Sequence, residues 1–571
     1  MTEITKSITY LKEYRQLKEA LLAGRTPLLA VGLSPIHKAH LAAALGLDTG
    51  RPVLVLTDDD SAAARFSADL QGFAEKPVLQ LPARDLVMVD VVGVSRGYEQ
   101  KRLAVLDALP SAPFAVASVQ AALQRTLPPE ALESAVVTIA AGEEAPLDGL
   151  AQQLTRAGYE RCIQVEGAGQ FSVRGGILDV FPPQAGHPYR VEFWDDEVDS
   201  IATFDVGSQR RLEQVEALRC LPCMETLPHL APGGVNGLAK AVRGTLSTRR
   251  KKHKDLAANI ERDAERLEQT GSLPAADKYL PLVYPELATA LDYLPENAIV
   301  LIEDTPRLRD AARDFHARIG DDVTALLERG EMPPGLDGYA LDFAGLSRVP
   351  RAILRLDSFL NNVPELAPQH LENFIANQMN AYGGNLDMAA ADIQGYTRQG
   401  RAVAVVCGSQ LRCRNMRDAL TEAGLKAEIS DLLPKAGQVS ILEGTLSAGF
   451  EYPDLGLVVI TEGQVLARRK KAAPKRSNRD RVKSFTDLTP GDLVVHEHHG
   501  IGRFVGMERM TVDGAERDFI KIAFAGTDFL YVPATSLDLI SKYIGGGEPD
   551  HVRLNKLGGA DWSRSKARAK A

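Results

Sequence analysis

Between Leu28 and Leu45 an apolar run, Leu28–Val31, passes through Gly32-Leu33-Ser34-Pro35 into a helical period, and the same strand-to-helix step recurs along the chain. No other feature constrains the fold as much. A short apolar strand followed by a helix returns to pair in parallel with its neighbour, so repetition predicts a parallel, doubly wound sheet with helices on its faces. The predicted strands are Leu28–Val31, Val53–Leu56, Val78–Leu81 and Phe114–Ala117. Helices are predicted through Leu41–Leu45 and near Lys101–Leu109, after an amphipathic opening helix carrying Ile8, Leu11, Tyr14, Leu17 and Leu21.

The first strand-to-helix turn has the outline of a phosphate-binding loop without its chemistry. A working GxxxxGK[ST] loop needs its second glycine so that backbone N–H groups can face phosphate, and a Ser/Thr hydroxyl for magnesium. Here Gly32 and Lys38 remain, but His37 replaces that glycine and Ala39 replaces the hydroxyl. The four residues read as an inactive phosphate loop or as an ordinary strand–turn–helix; neither reading predicts ATP hydrolysis. Asp58-Asp59-Asp60 and Glu303-Asp304 follow strands as magnesium-binding acids would, yet without a phosphate loop they read as a helix cap and a loop.

At 571 residues the chain exceeds one core, and roughly three to five domains are expected. A net charge of -9 excludes a binder that neutralises nucleic-acid phosphates over its whole surface. Positive charge is instead concentrated between Arg468 and Lys483, where nine Lys/Arg face one acid, Asp480. That segment reads as a solvated linker, with nucleic-acid or polymerase contact as the sharper alternative. A second basic cluster, Arg249 to Lys254, leads into a helical stripe of Leu256, Ile260, Ala264 and Leu267. With no apolar run of about 18 residues and no signal-peptide core at the N-terminus, a cytoplasmic location is expected. Five cysteines, an odd number, fit reduced thiols. The Cys220/Cys223 pair has no second pair at zinc-ribbon spacing, and His496-Glu497-His498-His499 has Gly500 where a metalloprotease helix needs its second histidine.

Composition shifts divide the chain. Residues 1–129 form the first part of the parallel α/β domain, 130–212 an inserted α+β domain, and 213–335 the second part, with strand-helix alternation resuming near Ala298–Ile302. After a Pro- and Gly-rich interval, residues 345–466 read as a separate α/β domain built on Ala352–Leu356, Ala402–Cys407, Val439–Leu442 and Leu457–Ile460. Residues 467–485 are the basic linker. Residues 486–547 read as a compact β-barrel of Leu493–His496, Arg503–Met507, Phe519–Phe524 and Phe529–Val532. Residues 548–571 open a basic helix that breaks off at Ala571.

The sharpest signal lies in the insertion. Alternation along Tyr189-Arg190-Val191-Glu192-Phe193-Trp194 puts Arg190, Glu192 and Trp194 on one face, with Arg174 of Phe171-Ser172-Val173-Arg174-Gly175-Gly176-Ile177-Leu178-Asp179-Val180-Phe181-Pro182 on a neighbouring strand. An exposed Arg/Trp cluster has the composition of a binding hot spot. The alternative is Trp194 in the core and the arginines in surface ion pairs.

With its flanking strand-helix units, this segment resembles the UvrB-homology module of the bacterial transcription-repair coupling factors. Thr489-Pro490-Gly491-Asp492-Leu493-Val494-Val495-His496-Glu497-His498-His499-Gly500-Ile501-Gly502-Arg503-Phe504-Val505-Gly506-Met507 is similar to that family's RNA-polymerase-interacting domain, shared with CarD-type regulators. Tyr531-Val532-Pro533, Leu554-Asn555-Lys556-Leu557-Gly558-Gly559 and Trp562-Ser563-Arg564 match as well. The resemblance covers nearly the whole chain in order. It implies an α/β multidomain fold: a degenerate RecA-like parallel α/β domain with an inserted α+β domain, a second α/β domain and a small SH3/Tudor-like β-barrel. It further implies that the insertion binds UvrA through Arg174, Arg190 and Trp194, the last at a position where the family can carry Phe. The barrel would bind the RNA polymerase β subunit through Met510, Arg503 and Phe504, partly by a sheet edge. The family's translocase motor, with its ATP and magnesium, follows the closing helix, so this stretch is expected to be non-catalytic, without cofactor or metal, monomeric, and in contact with DNA mainly through that motor. The strand-separating hairpin of UvrB falls in the interval of about 84–100, which is short here and carries Tyr98 as its one aromatic. Two rival readings remain open: an ATP-dependent helicase-like enzyme using Lys38, and a general DNA binder working through the basic linker.

Overall fold

The computed structural model describes residues 1–89, 96–246, 254–349, 351–379, 381–465, 479–481, 491–496, 500–512, 515–525, 529–533 and 540–543. They fall into two units, 1–467 and 468–571. The features expected at the basic linker, at Glu497 to His499 and in the closing segment after Tyr543 lie largely or wholly outside the described residues.

In the first unit a seven-stranded, wholly parallel sheet runs in the spatial order His370–Asn373, Leu28–Val31, Ala352–Leu356, Ile299–Glu303, Val53–Thr57, Phe114–Ser118, Leu79–Leu81. Its inner strands are short, apolar and buried along their length, as a sheet covered on both faces requires. Ala352–Leu356, expected to open the separate domain, instead lies between Leu28–Val31 and Ile299–Glu303. The Pro- and Gly-rich interval is therefore a connection within this domain. The paired run Ile353, Leu354 and Leu356 is buried from both sides, which no edge position in the later domain would provide. His370–Asn373 then extends the same sheet, and the second α/β domain begins only at Asn377.

That second domain holds a six-stranded sheet in the order Asn377–Gln378, Phe450–Tyr452, Leu457–Thr461, Ala402–Cys407, Val439–Glu443, Ala427–Ile429. The last four are parallel and the first two pair antiparallel at one edge. One apolar core joins it to the first domain: Ile4, Ile36, Leu41, Phe66 and Phe73 share a cluster with Val406, Leu442, Phe450 and Tyr452.

The insertion leaves the parallel domain through an antiparallel pair, Val137–Ala140 with Ala217–Cys220, so it extends past residue 212. Its main sheet has the order Arg211–Val215, Glu197–Phe204, Tyr189–Trp194, Ile177–Val180, Gln170–Arg174, Glu160–Arg161. The helix Leu147–Arg156 packs Leu150, Ala151 and Leu154 against Phe171, Leu178, Val180 and Val191 on one face. Beyond it, the helix Lys254–Thr270 buries the expected stripe of Leu256, Ile260, Ala264 and Leu267 against Leu238, Ala239 and Val242. A buried charge network braces the base of the insertion. Arg84 grips Asp277 with two hydrogen bonds of 2.6 and 3.2 Å and meets Glu225 at 2.9 Å, while Arg102 meets the same Glu225 at 3.1 Å.

The second unit is a six-stranded antiparallel sheet ordered Arg479–Arg481, Ile540–Tyr543, Leu493–His496, Gly500–Val512, Ala515–Ala523, Phe529–Pro533. Among the described residues the two outer strands do not pair with each other, so what is described of the expected compact β-barrel is an antiparallel sheet with two edges. Its core is Val494, Phe504, Ile520, Ile522, Phe524 and Val532. Among the described residues of both units, no helix is long and apolar enough to cross a membrane.

Candidate functional site

The turn after Leu28–Val31 is packed with protein. Gly32 sits at a φ of +82°, and a Cβ there would lie 2.2 Å from the Phe374 carbonyl oxygen, so the segment following the edge strand closes over it. Ser34 precedes the helix Pro35–Thr49 in extended conformation, and its hydroxyl lies 2.7 Å from His37 Nδ1. The His37 ring makes edge contacts with Phe450 and Tyr452 of the second domain. One turn on, His40 stacks on Phe73 and bridges Tyr452 Oη (3.1 Å) and the Thr5 carbonyl (3.0 Å). Burial holds both imidazoles neutral, lowering His37 to about 3, with His40 adding to the effect, and His40 to about 4.

Lys38 is equally occupied. Its side chain is 3% exposed and its ammonium faces Glu303 at 3.7 Å, whose carboxyl burial pushes above the usual carboxylate range. Ala39 is buried. The four loop residues thus come together, but as the packing surface between two domains. Asp59 caps the next helix, Asp60–Ala74, by accepting from the Ala62 N–H at 2.6 Å, the capping role expected of that acidic run. Asp304 precedes the helix Thr305–Glu328 without a side-chain cap.

The insertion presents the opposite case. Tyr189, Val191 and Phe193 turn toward the helix-covered core, which leaves Arg190, Glu192 and Trp194 on the outer face. The two-residue turn Asp195-Asp196 follows, with Asp195 at a φ of +57°, and holds Trp194 opposite Glu197 at the tip of the hairpin. Trp194 is 80% exposed, which rules out the core alternative. Arg174 lies two strands away, and Asp179 on the intervening strand brings the arginines together. Asp179 is 1% exposed and accepts from Arg190 Nε (2.7 Å) and a terminal nitrogen (2.8 Å), and also from Arg174. These bonds raise the Arg190 pKa further. Arg190 also lies over the Phe204 ring at 4.7 Å, and Glu192 pairs with Arg211. The arginines do form ion pairs, as the alternative reading had it, but with a buried acid and with Trp194 outside.

In the second unit, Arg503 and Phe504 are both expected at the polymerase surface. Adjacent residues on a strand face opposite ways, and Phe504 is 4% exposed within the core, so its aromatic ring is structural. Arg503 faces the other way and donates to the Gly491 carbonyl at 3.2 Å. Met510 stands opposite Arg517 in the strand register; its side chain lies outside the described residues. Sequence reading missed a group at the sheet edge: Lys521, on Ala515–Ala523, stands over the Phe529 ring (4.7 Å) and the Tyr531 ring (5.3 Å) of the outer strand, with Phe529 exposed. The alternation Phe529-Leu530-Tyr531-Val532 carried that signal.

Cys220 and Cys223 are buried beside Tyr159, with both thiols pushed up by burial, Cys220 to about 12. Among the described residues no group of three His, Cys, Asp or Glu is placed to hold a metal ion.

Comparison with known proteins matches residues 137–225 to the UvrB interaction domain and residues 488–544 to the CarD-like/TRCF RID domain. The transcription-repair-coupling factor of Bacillus subtilis (strain 168) is 31% identical over 98% of this chain and 49% of its own length. The chain belongs with the N-terminal half of the transcription-repair-coupling factors. The proteins of that name from Staphylococcus epidermidis (30% identical, 97% of this chain, 48% of theirs) and Staphylococcus aureus strain MRSA252 (28%, 100% and 49%) align in the same way. The chain therefore spans about half the length of the curated relatives it matches. The first match frames the Arg174/Arg190/Trp194 face from the neck strand Val137–Ala140 to Glu225, and the second covers the antiparallel sheet.

Proposed function

We propose that this stretch of a transcription-repair-coupling factor is a non-catalytic adaptor: the insertion docks UvrA, the C-terminal sheet docks the β subunit of RNA polymerase, and together they bring excision repair of DNA to a stalled polymerase. The observation that carries the reading is the exposed Trp194 on the same face of the sheet as Arg190 and Arg174, inside the segment matched to the UvrB interaction domain. A large exposed aromatic with adjacent guanidinium groups is what a protein-docking hot spot uses. Burial of Lys38 against Glu303, and of His37 under Phe450 and Tyr452, supports the non-catalytic part, because the space a phosphate would need holds side chains.

Titration of the purified chain with UvrA and, separately, with a polymerase β-subunit fragment tests this. Arg190→Ala or Trp194→Ala weakens UvrA binding and leaves polymerase binding intact, while Met510→Glu does the reverse. Unchanged binding by all three variants overturns the site assignment. DNA-stimulated ATP hydrolysis lost in Lys38→Ala overturns the non-catalytic reading.

A further inference from the structure

The two arginines of the insertion face are not equivalent, and Asp179 makes them different. Arg190 commits Nε and one terminal nitrogen to Asp179, brings the same terminal nitrogen to Gln209 Oε1 at 3.3 Å, and places its other terminal nitrogen 3.5 Å from the Gln209 carbonyl. Its plane rests on Phe204. Arg174 gives Asp179 a single terminal nitrogen and is 45% exposed, so its remaining donors face outward. Asp179 itself is almost fully buried on the strand between them, at the register position opposite Arg190. A buried carboxylate cannot stay unpaired, and a guanidinium fork satisfies it with fixed geometry.

We infer that Asp179 is a positioning residue for partner recognition: it locks Arg190 into a platform on the same face as Trp194 and aims the free N–H groups of Arg174 at a carboxylate on the docking protein. The inference rests on the reading that this face binds UvrA. Two guanidinium groups on one buried acid leave one net positive charge at the surface, which suits an acidic partner site. Lysine cannot reproduce the Arg190 platform, because an ammonium has neither the fork nor the flat face.

The test is a set of UvrA titrations on the full chain carrying Asp179→Asn, Arg174→Ala, Arg190→Lys and the Asp179→Asn/Arg174→Ala pair. Amide exchange across residues 170–204 shows that each insertion is folded. Asparagine keeps the volume and one acceptor, so Asp179→Asn is expected to fold and to lower UvrA affinity about tenfold, in the range of an anchor truncation. If Asp179 acts through Arg174, the paired losses combine to clearly less than their product, as coupled neighbours do. Arg190→Lys loses affinity although charge is kept, and raising salt weakens wild type more than Arg174→Ala. Wild-type affinity in Asp179→Asn, or losses that multiply independently, overturns the inference while leaving the docking reading in place. Wild-type affinity in Arg174→Ala, Arg190→Ala and Trp194→Ala together overturns the docking reading itself.

Discussion

The phosphate-loop turn and the insertion face each set basic side chains against a carboxylate, and they differ in which partner is buried. At the turn the lysine is enclosed and its acid is the more accessible group, 3% against 16% exposed. On the insertion the acid is enclosed, at 1%, and the arginine stands out at 45%. An enclosed cation is consumed by the fold; an enclosed anion can hold one arginine rigidly, as Asp179 holds Arg190, and leave a second, Arg174, with donors facing outward. On the proposed reading, ion pairs of similar composition serve cohesion in one place and recognition in the other.

The contrast breaks most directly at the turn. Phe450→Ala removes the ring that touches His37, His40 and Phe73, and a stability loss of about 3–5 kcal/mol in urea unfolding is expected. A loss below about 1 kcal/mol would mean that the interdomain packing is loose. On the insertion, Trp194→Ala should cost about 2 kcal/mol or more in UvrA binding and less than about 0.5 kcal/mol in stability, because an exposed ring contributes little to folding. Equal losses in both measurements would erase the distinction between cohesion and recognition.

A pH series sharpens it. The folded-state pKa values of His37 and His40 lie below that of an unfolded histidine, so the unfolded chain takes up protons that the folded one refuses. Neither histidine contributes a pH dependence above about pH 6.5. Below that, each removes up to about 1.4 kcal/mol of stability per pH unit, until titration in the fold near pH 4 for His40 and 3 for His37. Denaturant midpoints between about pH 7 and 5 should therefore fall more steeply in wild type than in His37→Leu; parallel slopes would contradict a buried neutral imidazole. The smallest effect concerns the ion pair: Lys38→Met with Glu303→Leu should leave stability within about 1 kcal/mol of wild type or raise it, as measured by the same unfolding.

Local chemistry made much of this legible. Strand-helix alternation located the parallel domain, and the period of two put Arg190, Glu192 and Trp194 on one face. What escaped depends on partners far apart in sequence. Nothing near His37 announces Phe450, and Ala352–Leu356 reads alike whichever sheet receives it, because pairing order is a non-local property. Asp179 left a faint trace, one acid inside the apolar strand Ile177–Val180. Arg503 and Phe504 are consecutive on one strand, so alternation turns Phe504 into the core and leaves Arg503 on the other face.

The aromatic filling of the turn also limits what substitutions there can restore. Writing the motif back with His37→Gly and Ala39→Ser would open a void against Phe450 and Tyr452 and bury an unpaired hydroxyl, a double loss with no phosphate to offset it. Restoring the motif's two missing residues would therefore not by itself make a phosphate-binding loop here, because the turn is also the surface on which Phe450 and Tyr452 of the second domain pack.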